Sequence, residues 1–334
     1  MRVLVTGGTG FVGSHSVAAL ERAGHHVRLL ARSPERVRPA LAPHGVDDVE
    51  VLVGDCTDPV AVRTAVDGCD ALLHCANVFT WDASRQKGLV DTNTRTTETV
   101  LGEATSKGLD PVVHVSSYVA LLPADRPLSP DTPVGSLPSG YASSKAAAER
   151  AARRLQESGA PVVTTYPGAV LGPHDPYRGD SNELLVTFLA SRRPPAVGLL
   201  GVVDVRDVAA AHAALMAPGR GPRRLILTGH DVPMHELARR TGRAAGVDVR
   251  PVRLPSGPTG RIMGAVDLVA RTLRISTFGS GPVDVVSSYP GGDMTPLAEL
   301  GVALRPLDDT LDDTVAWLRA TGRLQGRRFA AASP

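Results

Sequence analysis

Short apolar runs alternate with longer amphipathic stretches through the first two-thirds of the chain. Runs rich in Val, Leu and Ala at Arg2–Thr6, Val27–Ala31, Glu50–Val53, Ala71–His74, Val112–Ser116 and Val162–Tyr166 predict strands. Between them, helical patterns cover Phe11–Ala23, Pro34–Leu41, Pro59–Val66, Lys87–Thr105 and Tyr141–Glu157. The strands are apolar on both faces, as a sheet covered by helices on both sides requires. Repeated strand–helix units with right-handed crossovers predict an α/β fold, a Rossmann-type doubly wound parallel sheet.

Beyond Pro167 the rhythm breaks. Loops rich in Pro and Gly are expected at Pro173–Asp180 and Pro194–Gly201, then a helix at Arg206–Met216 and an apolar run at Leu225–Thr228. Further helices are expected at Met234–Ala245, Arg261–Thr272 and Asp308–Thr321. Residues 1–168 then make the sheet domain, with 202–228 returning to it, and 326–334 form a tail. Residues 169–201 and 229–325 make a smaller, mostly helical lobe. In such folds ligands bind beyond the carboxyl ends of the strands, where the strand order reverses.

Composition narrows the class. The 334 residues carry 36 basic and 34 acidic side chains, a formal net charge of +2. That balance argues against nucleic-acid binding through a phosphate-seeking basic face. Only three basic residues are lysines, Lys87, Lys107 and Lys145, and the rest are arginines. The cysteines Cys56, Cys69 and Cys75 show no CxxC spacing and read as free thiols. No run approaches the ~18 apolar residues of a membrane span, and Met1-Arg2 leads straight into a strand, so a cytoplasmic protein without a membrane partner is expected.

The first strand ends in Thr6-Gly7-Gly8-Thr9-Gly10-Phe11-Val12-Gly13. It parses as GxxGxxG through Gly7, Gly10 and Gly13, or as GxGxxG through Gly8, Gly10 and Gly13. A glycine turn between strand and helix brings backbone N–H groups and a helix N-terminus to a pyrophosphate. The second strand ends in Ala31-Arg32-Ser33, where an NAD-selective fold usually places an acid. Arg32, with Arg36 one turn on, suits a 2′-phosphate, which favours NADP(H) over NAD(H). Asp55, ahead of Cys56, either accepts from the adenine amino group or caps the helix near Pro59, for which Asp58 is better placed. After the fourth strand, the small residues Cys75 and Ala76 leave room for the nicotinamide ribose, and His74 reads as packed.

The segment Ser139-Gly140-Tyr141-Ala142-Ser143-Ser144-Lys145 opens an alanine-rich helix. Residues i and i+4 share a face, so Tyr141 and Lys145 point into one cleft. A phenol with a pKa near ~10 is a poor proton shuttle at neutral pH, and an ammonium within about 4–6 Å lowers it by ~1–3 units. A chain that otherwise uses arginine has placed one of its three lysines there.

The glycine loop, Tyr141-xxx-Lys145 and Val115-Ser116-Ser117, about 24 residues before the tyrosine, together resemble the short-chain dehydrogenase/reductase superfamily. The closer resemblance is to its extended branch, the NAD-dependent epimerase/dehydratase family, over residues 1 to about 215. It implies Tyr141 as general acid–base, Lys145 as its partner and ribose anchor, and Ser117 rather than Ser116 as donor to the substrate oxygen. Asn93 would hold helix geometry or an ordered water. Cofactor contacts are implied at Gly7, Gly10, Phe11, Val12, Gly13, Arg32, Asp55, Cys56, Cys75, Ala76, Tyr141, Lys145, Pro167, Gly168 and Val170. A homodimer through the helices around Lys87–Thr105 and Tyr141–Glu157 is also implied.

Tyr166 to Pro173 resembles the matching segment of dihydroflavonol reductases and 3β-hydroxysteroid dehydrogenases more than that of sugar-nucleotide enzymes. Phe79 and Trp81, in the loop after the fourth strand, suit an apolar or aromatic small-molecule substrate. His174, Asp175, Tyr177 and Arg178 would sit on a lid and orient a polar substituent, and their spacing indicates no metal. The expected activity is an NADP(H)-dependent carbonyl reductase or alcohol dehydrogenase. The alternatives are an NAD-dependent sugar-nucleotide epimerase or dehydratase and a nucleotide-sensing regulator, the latter disfavoured by the tyrosine–lysine pair.

Overall fold

The computed structural model describes residues 1–78, 88–177, 179–254, 281–325 and 329. The sheet-forming half contains strands β1 (Arg2–Thr6), β2 (His26–Ala31), β3 (Glu50–Val53), β4 (Ala71–His74), β5 (Val112–Val115) and β6 (Val162–Pro167). Strands β7 (Ala169–Leu171), β8 (Pro195–Ala196), β9 (Leu199–Asp204), β10 (Arg223–Leu227), β11 (His230–Pro233) and β12 (Val252–Arg253) follow. Seven of these make one parallel sheet in the order β10, β6, β5, β4, β1, β2, β3. The order reverses between β1 and β4. From β1 the chain winds outward through β2 to β3, and from β4 it winds the other way.

Strand alternation sends side chains to two separate cores. Val3 and Val5 of β1 pack with Val17 and Leu20 of helix α1 (Phe11–Arg22). Leu4 faces the opposite way, toward helices α3 (Pro59–Val66), α4 (Leu89–Ser106) and α5 (Gly140–Glu157), through Val62, Leu101 and Ala152. Burial on both faces is why these strands read as unbroken apolar runs. The expected helix over Pro34–Leu41 divides instead into a 3-10 turn, Pro34–Arg36, and a short α2 (Val37–Leu41). Pro39 has no N–H to give to the Glu35 carbonyl, so the two pieces are not joined by the bond a continuous helix needs.

The chain after β6 contains more strand than its sequence suggests. β9 lies between β7 and β11, parallel to the first and antiparallel to the second. β8 pairs with β12 over two residues. Pro194–Gly201, expected as a loop, thus holds β8 and the start of β9. Gly201 hides that strand from a periodicity reading, and packing requires it: a Cβ there would lie 2.7 Å from the Thr228 Cβ.

Helices α6 (Asp180–Ser191), α7 (Val205–Ala214), α8 (Met234–Ala244), α9 (Gly281–Ser288), α10 (Thr295–Glu299) and α11 (Leu307–Ala320) complete the described α-helices, and 3-10 turns lie at Ala42–His44 and Tyr118–Leu121. The largest core cluster joins Tyr118 and Tyr141 to Phe188 of α6, Leu237 of α8 and Leu311 of α11. The expected helix at Arg261–Thr272 lies outside the described residues.

Candidate active site

The glycine turn brings the ends of β1 and β4 together. Gly7 has φ +71°, and a Cβ on it would sit 2.6 Å from the Ala76 amide nitrogen. At Gly13 a Cβ would lie 2.1 Å from the Gly7 carbonyl oxygen, so only glycine lets α1 start this close to the strand end. The Gly10 N–H donates to that carbonyl at 2.9 Å. Gly10 caps α1 without any side chain, which leaves the first-turn N–H groups for a ligand.

A crevice of about 600 Å³ opens beside this turn. Of the cofactor residues expected from sequence, Gly7, Gly10, Arg32, Asp55, Cys56, Cys75 and Ala76 lie on its wall, as does Asn93. Phe11, Val12, Gly13, Tyr141, Lys145, Pro167, Gly168 and Val170 lie off that wall. Pro167 and Gly168 mark the point where the chain leaves the main sheet, and Val170 of β7 and Val12 of α1 pack against one buried cluster around Val203, Val208 and Leu227.

At one end of the crevice, Arg32 lies 3.6 Å from the Asp55 carboxylate, both well exposed. Asp55 Oδ1 accepts from the Thr57 N–H and hydroxyl, each at 2.7 Å. Those bonds, reinforced by Arg32, hold the carboxyl below its ordinary range. Asp58 caps α3, its Oδ1 accepting from the Val60 N–H at 2.9 Å.

The α5 N-terminus is fixed by Ser139, whose Oγ accepts from the Ala142 N–H at 3.2 Å. This sets Tyr141 and Lys145 one turn apart, 7% and 5% exposed. Burial pushes the Lys145 ammonium down to about 8, with Cys75 and Glu149 working against it. Asn93 of α4, fully enclosed, accepts from the Val78 N–H at 2.9 Å, donates back to the Val78 carbonyl, and donates to Ser144 Oγ at 2.7 Å. It thereby ties the chain leaving β4 to the helix that carries the tyrosine and lysine.

Ser117 lies 8% exposed at the end of β5, its Oγ accepting from the Val119 N–H at 3.3 Å. That leaves its hydroxyl proton free to point at a ligand. The Ser116 Oγ is sealed from solvent and has no hydrogen-bond partner among the described residues. Thr6 Oγ1 and His74 Nδ1 are 2.6 Å apart across β1 and β4, and burial pushes this imidazole down to about 3. His74 is therefore a neutral, packed residue that clamps the two strand ends.

The sequence profile described as "NAD dependent epimerase/dehydratase family" matches residues 3–226. The chain belongs to this family. A provisionally named dihydroflavonol 4-reductase of a Synechocystis species is similar to it, 32% identical over 242 residues, which are 70% of this chain and 67% of that one. Sterol demethylase protein B of Methylococcus capsulatus is 29% identical over 97% of this chain and 100% of its own length. The crystal structure of gox2253 superposes with a TM-score of 0.80 at 27% identity, covering 97% of this chain and 99% of that one. Family membership and reductase-named relatives make the protein an NAD(P)-dependent oxidoreductase of the extended short-chain dehydrogenase/reductase type.

Within this epimerase/dehydratase family member, the residues expected on a lid lie in different surroundings. Asp175 is 2% exposed, and its carboxylate accepts from the Tyr177 and Gly179 N–H groups and from Asn182. It shapes a turn and does not face a substrate. Tyr177 lines the crevice beside the glycine turn, its ring centroid 6.0 Å from the Arg36 guanidinium. His174 packs with His15 and His44, a cluster with no local signal in the sequence because its members come from distant segments. Phe79, Trp81 and Arg178 lie outside the described residues. Among the described residues there is no group of three metal-ligating side chains and no helix long and apolar enough to cross a membrane.

Proposed function

We propose that the protein is an NADP(H)-dependent carbonyl reductase or alcohol dehydrogenase for an apolar or aromatic ketone or alcohol. The observation that carries this reading is Tyr141 and Lys145, buried one helical turn apart near Ser117 at the carboxyl ends of the strands. The glycine cradle, which side chains would fill, fits a dinucleotide pyrophosphate, and Arg32 beside the crevice fits a 2′-phosphate. When bound, the nicotinamide supplies the hydride.

The chain's own residues then manage position and protons. Ser117 donates a hydrogen bond to the substrate oxygen and fixes its direction. Tyr141 gives that oxygen a proton in reduction and removes it in oxidation. Lys145, cationic below about pH 8, favours the ionised phenol and so keeps Tyr141 acidic enough to act. Asn93 holds α4, α5 and the β4 exit in register. The apolar cluster around Tyr118 and Tyr141 excludes water and favours a substrate with little charge. Relatives named for a dihydroflavonol and a sterol support that substrate class.

The test is a panel of aryl ketones, steroids and sugar nucleotides, assayed by absorbance with NADPH and with NADH. Turnover of an apolar carbonyl compound with net oxidation of NADPH is expected. Protein purified without added cofactor should hold little nicotinamide nucleotide. A stoichiometric, tightly held NAD with turnover of sugar nucleotides alone would replace this reading by the epimerase or dehydratase one.

A further inference from the structure

The turn Pro173–Tyr177 follows β7 and belongs by sequence to the lobe beyond the main sheet, yet it is fastened to the nucleotide side. The Pro173 carbonyl accepts from His15 Nε2 of α1 at 3.0 Å. His174, held at φ 60°, packs its ring on His44, with centroids 5.5 Å apart. His44 packs on His15 at 4.2 Å. A left-handed backbone at a residue that is not glycine is unfavourable, and it persists where surrounding contacts determine it. The Asp175 carboxylate then bridges the turn to itself, so Tyr177 is presented on a stiff support.

Tyr177 is half exposed, and its ring stands against the Arg36 guanidinium on the crevice wall that also holds Arg32 and Ser33. Arg32 already has Asp55 as a neighbour at 3.6 Å. Arg36 forms no salt bridge among the described residues, and its described contact is the Tyr177 ring. A guanidinium held over an aromatic face keeps its N–H donors in the ring-parallel plane and available to an anion.

We propose that Tyr177 is a positioning residue of the cofactor site, holding Arg36 so that it binds the 2′-phosphate of an adenosine nucleotide together with Arg32. The turn that bears it is thus a cofactor element supplied from beyond the main sheet. This rests on the NADP reading given above. Holding the guanidinium in place before the nucleotide arrives removes part of the ordering cost of binding, so the ring contributes affinity without touching the ligand.

The experiment is calorimetric binding of 2′,5′-ADP and 5′-AMP to the full-length wild type, Tyr177→Leu and Tyr177→Phe, with thermal melting to check folding. Wild type should prefer 2′,5′-ADP. Tyr177→Leu should weaken 2′,5′-ADP about two- to five-fold, the usual worth of an exposed cation–π contact, and leave 5′-AMP unchanged. Tyr177→Phe, which keeps the ring face, should bind as wild type does. A 2′,5′-ADP affinity unchanged in Tyr177→Leu, or an equal loss for both ligands, overturns the role of Tyr177 alone. A wild type that binds both ligands equally overturns the NADP reading and this proposal with it.

Discussion

Asn93 donates to the Ser144 Oγ at 2.7 Å, linking α4 to α5 at the residue that precedes Lys145. The same amide closes a two-way pair with the Val78 backbone just past β4. One side chain therefore ties the wall of the crevice beside the glycine turn to the helix that carries the tyrosine–lysine pair.

Asn93→Ala should leave the Ser144 hydroxyl and the part-buried Val78 N–H without the Asn93 amide, while the Val78 carbonyl keeps the Asn77 side chain as donor. A loss of about 1–3 kcal/mol per unsatisfied group is usual, partly offset where water enters. Urea unfolding should show the destabilisation, and kcat should fall while KM for the nucleotide changes little. Unchanged kcat in a variant that is clearly destabilised would limit Asn93 to a structural role.

Tyr141→Phe keeps the ring in the apolar cluster and removes only the hydroxyl, so the fold should persist. The expected loss in kcat is roughly 10²–10⁴, the range for a positioned acid–base. Lys145 sharpens the test through pH. Its ammonium is present below about 8 and lost as pH rises through that value. Reductase activity should therefore decline above about pH 8, and Lys145→Met should be slow and should lack that limb. Near-normal turnover by Tyr141→Phe would remove the tyrosine from the chemistry.

Arg32 and Asp55 are both exposed, and such pairs are worth at most about 1 kcal/mol. A dianionic 2′-phosphate can therefore recruit Arg32 at little cost. Arg32→Asp puts two carboxylates side by side where that phosphate would sit. NADPH affinity should drop at least ~10-fold, the worth of a lost charge-assisted hydrogen bond, with NADH affinity nearly unchanged. Fluorescence titration with each nucleotide decides it, and equal losses would falsify the 2′-phosphate assignment.

The main sheet was legible in the sequence because its strands are buried on both faces and each is followed by a helix. β1, β3 and β4 have the ends that their apolar runs imply. The β11–β9–β7 sheet was not legible, since Gly201 interrupts its central strand for the sake of Thr228. Tyr141 and Lys145 stand out in sequence by their i, i+4 spacing and by the rarity of lysine, and Ser117 by the family resemblance. The positions of Tyr177 and of His15, His44 and His174 depend on which loops meet, and nothing local encodes that.

Stability at low pH should be unusually sensitive because so many imidazoles are buried neutral. Burial pushes His15, His74 and His212 down to about 3, and holds His114 well below its ordinary value. In the unfolded chain each would take up a proton near ~6.5. The unfolded state therefore binds more protons than the native state between about pH 6.5 and 3. Stability is fully present above 6.5 and drains as pH falls through that window. Each group costs about 1.4 kcal/mol per pH unit once the unfolded chain is protonated, so four together approach roughly 5 kcal/mol per unit below about pH 5.5. Against a typical domain stability of ~5–15 kcal/mol, acid unfolding should occur near pH 4–5, before most carboxylates titrate. Urea midpoints at pH 7, 6 and 5 should fall steeply, with at least four protons taken up on unfolding at pH 5, since His44, pushed down to about 4, adds to the four buried rings. His212 is held by Ser16 at 2.9 Å and Thr165 at 3.3 Å, so His212→Gln keeps a polar partner for both hydroxyls and should lower that uptake by one. A midpoint that stays flat down to pH 5 would mean that these rings are charged in the native protein, contrary to their burial.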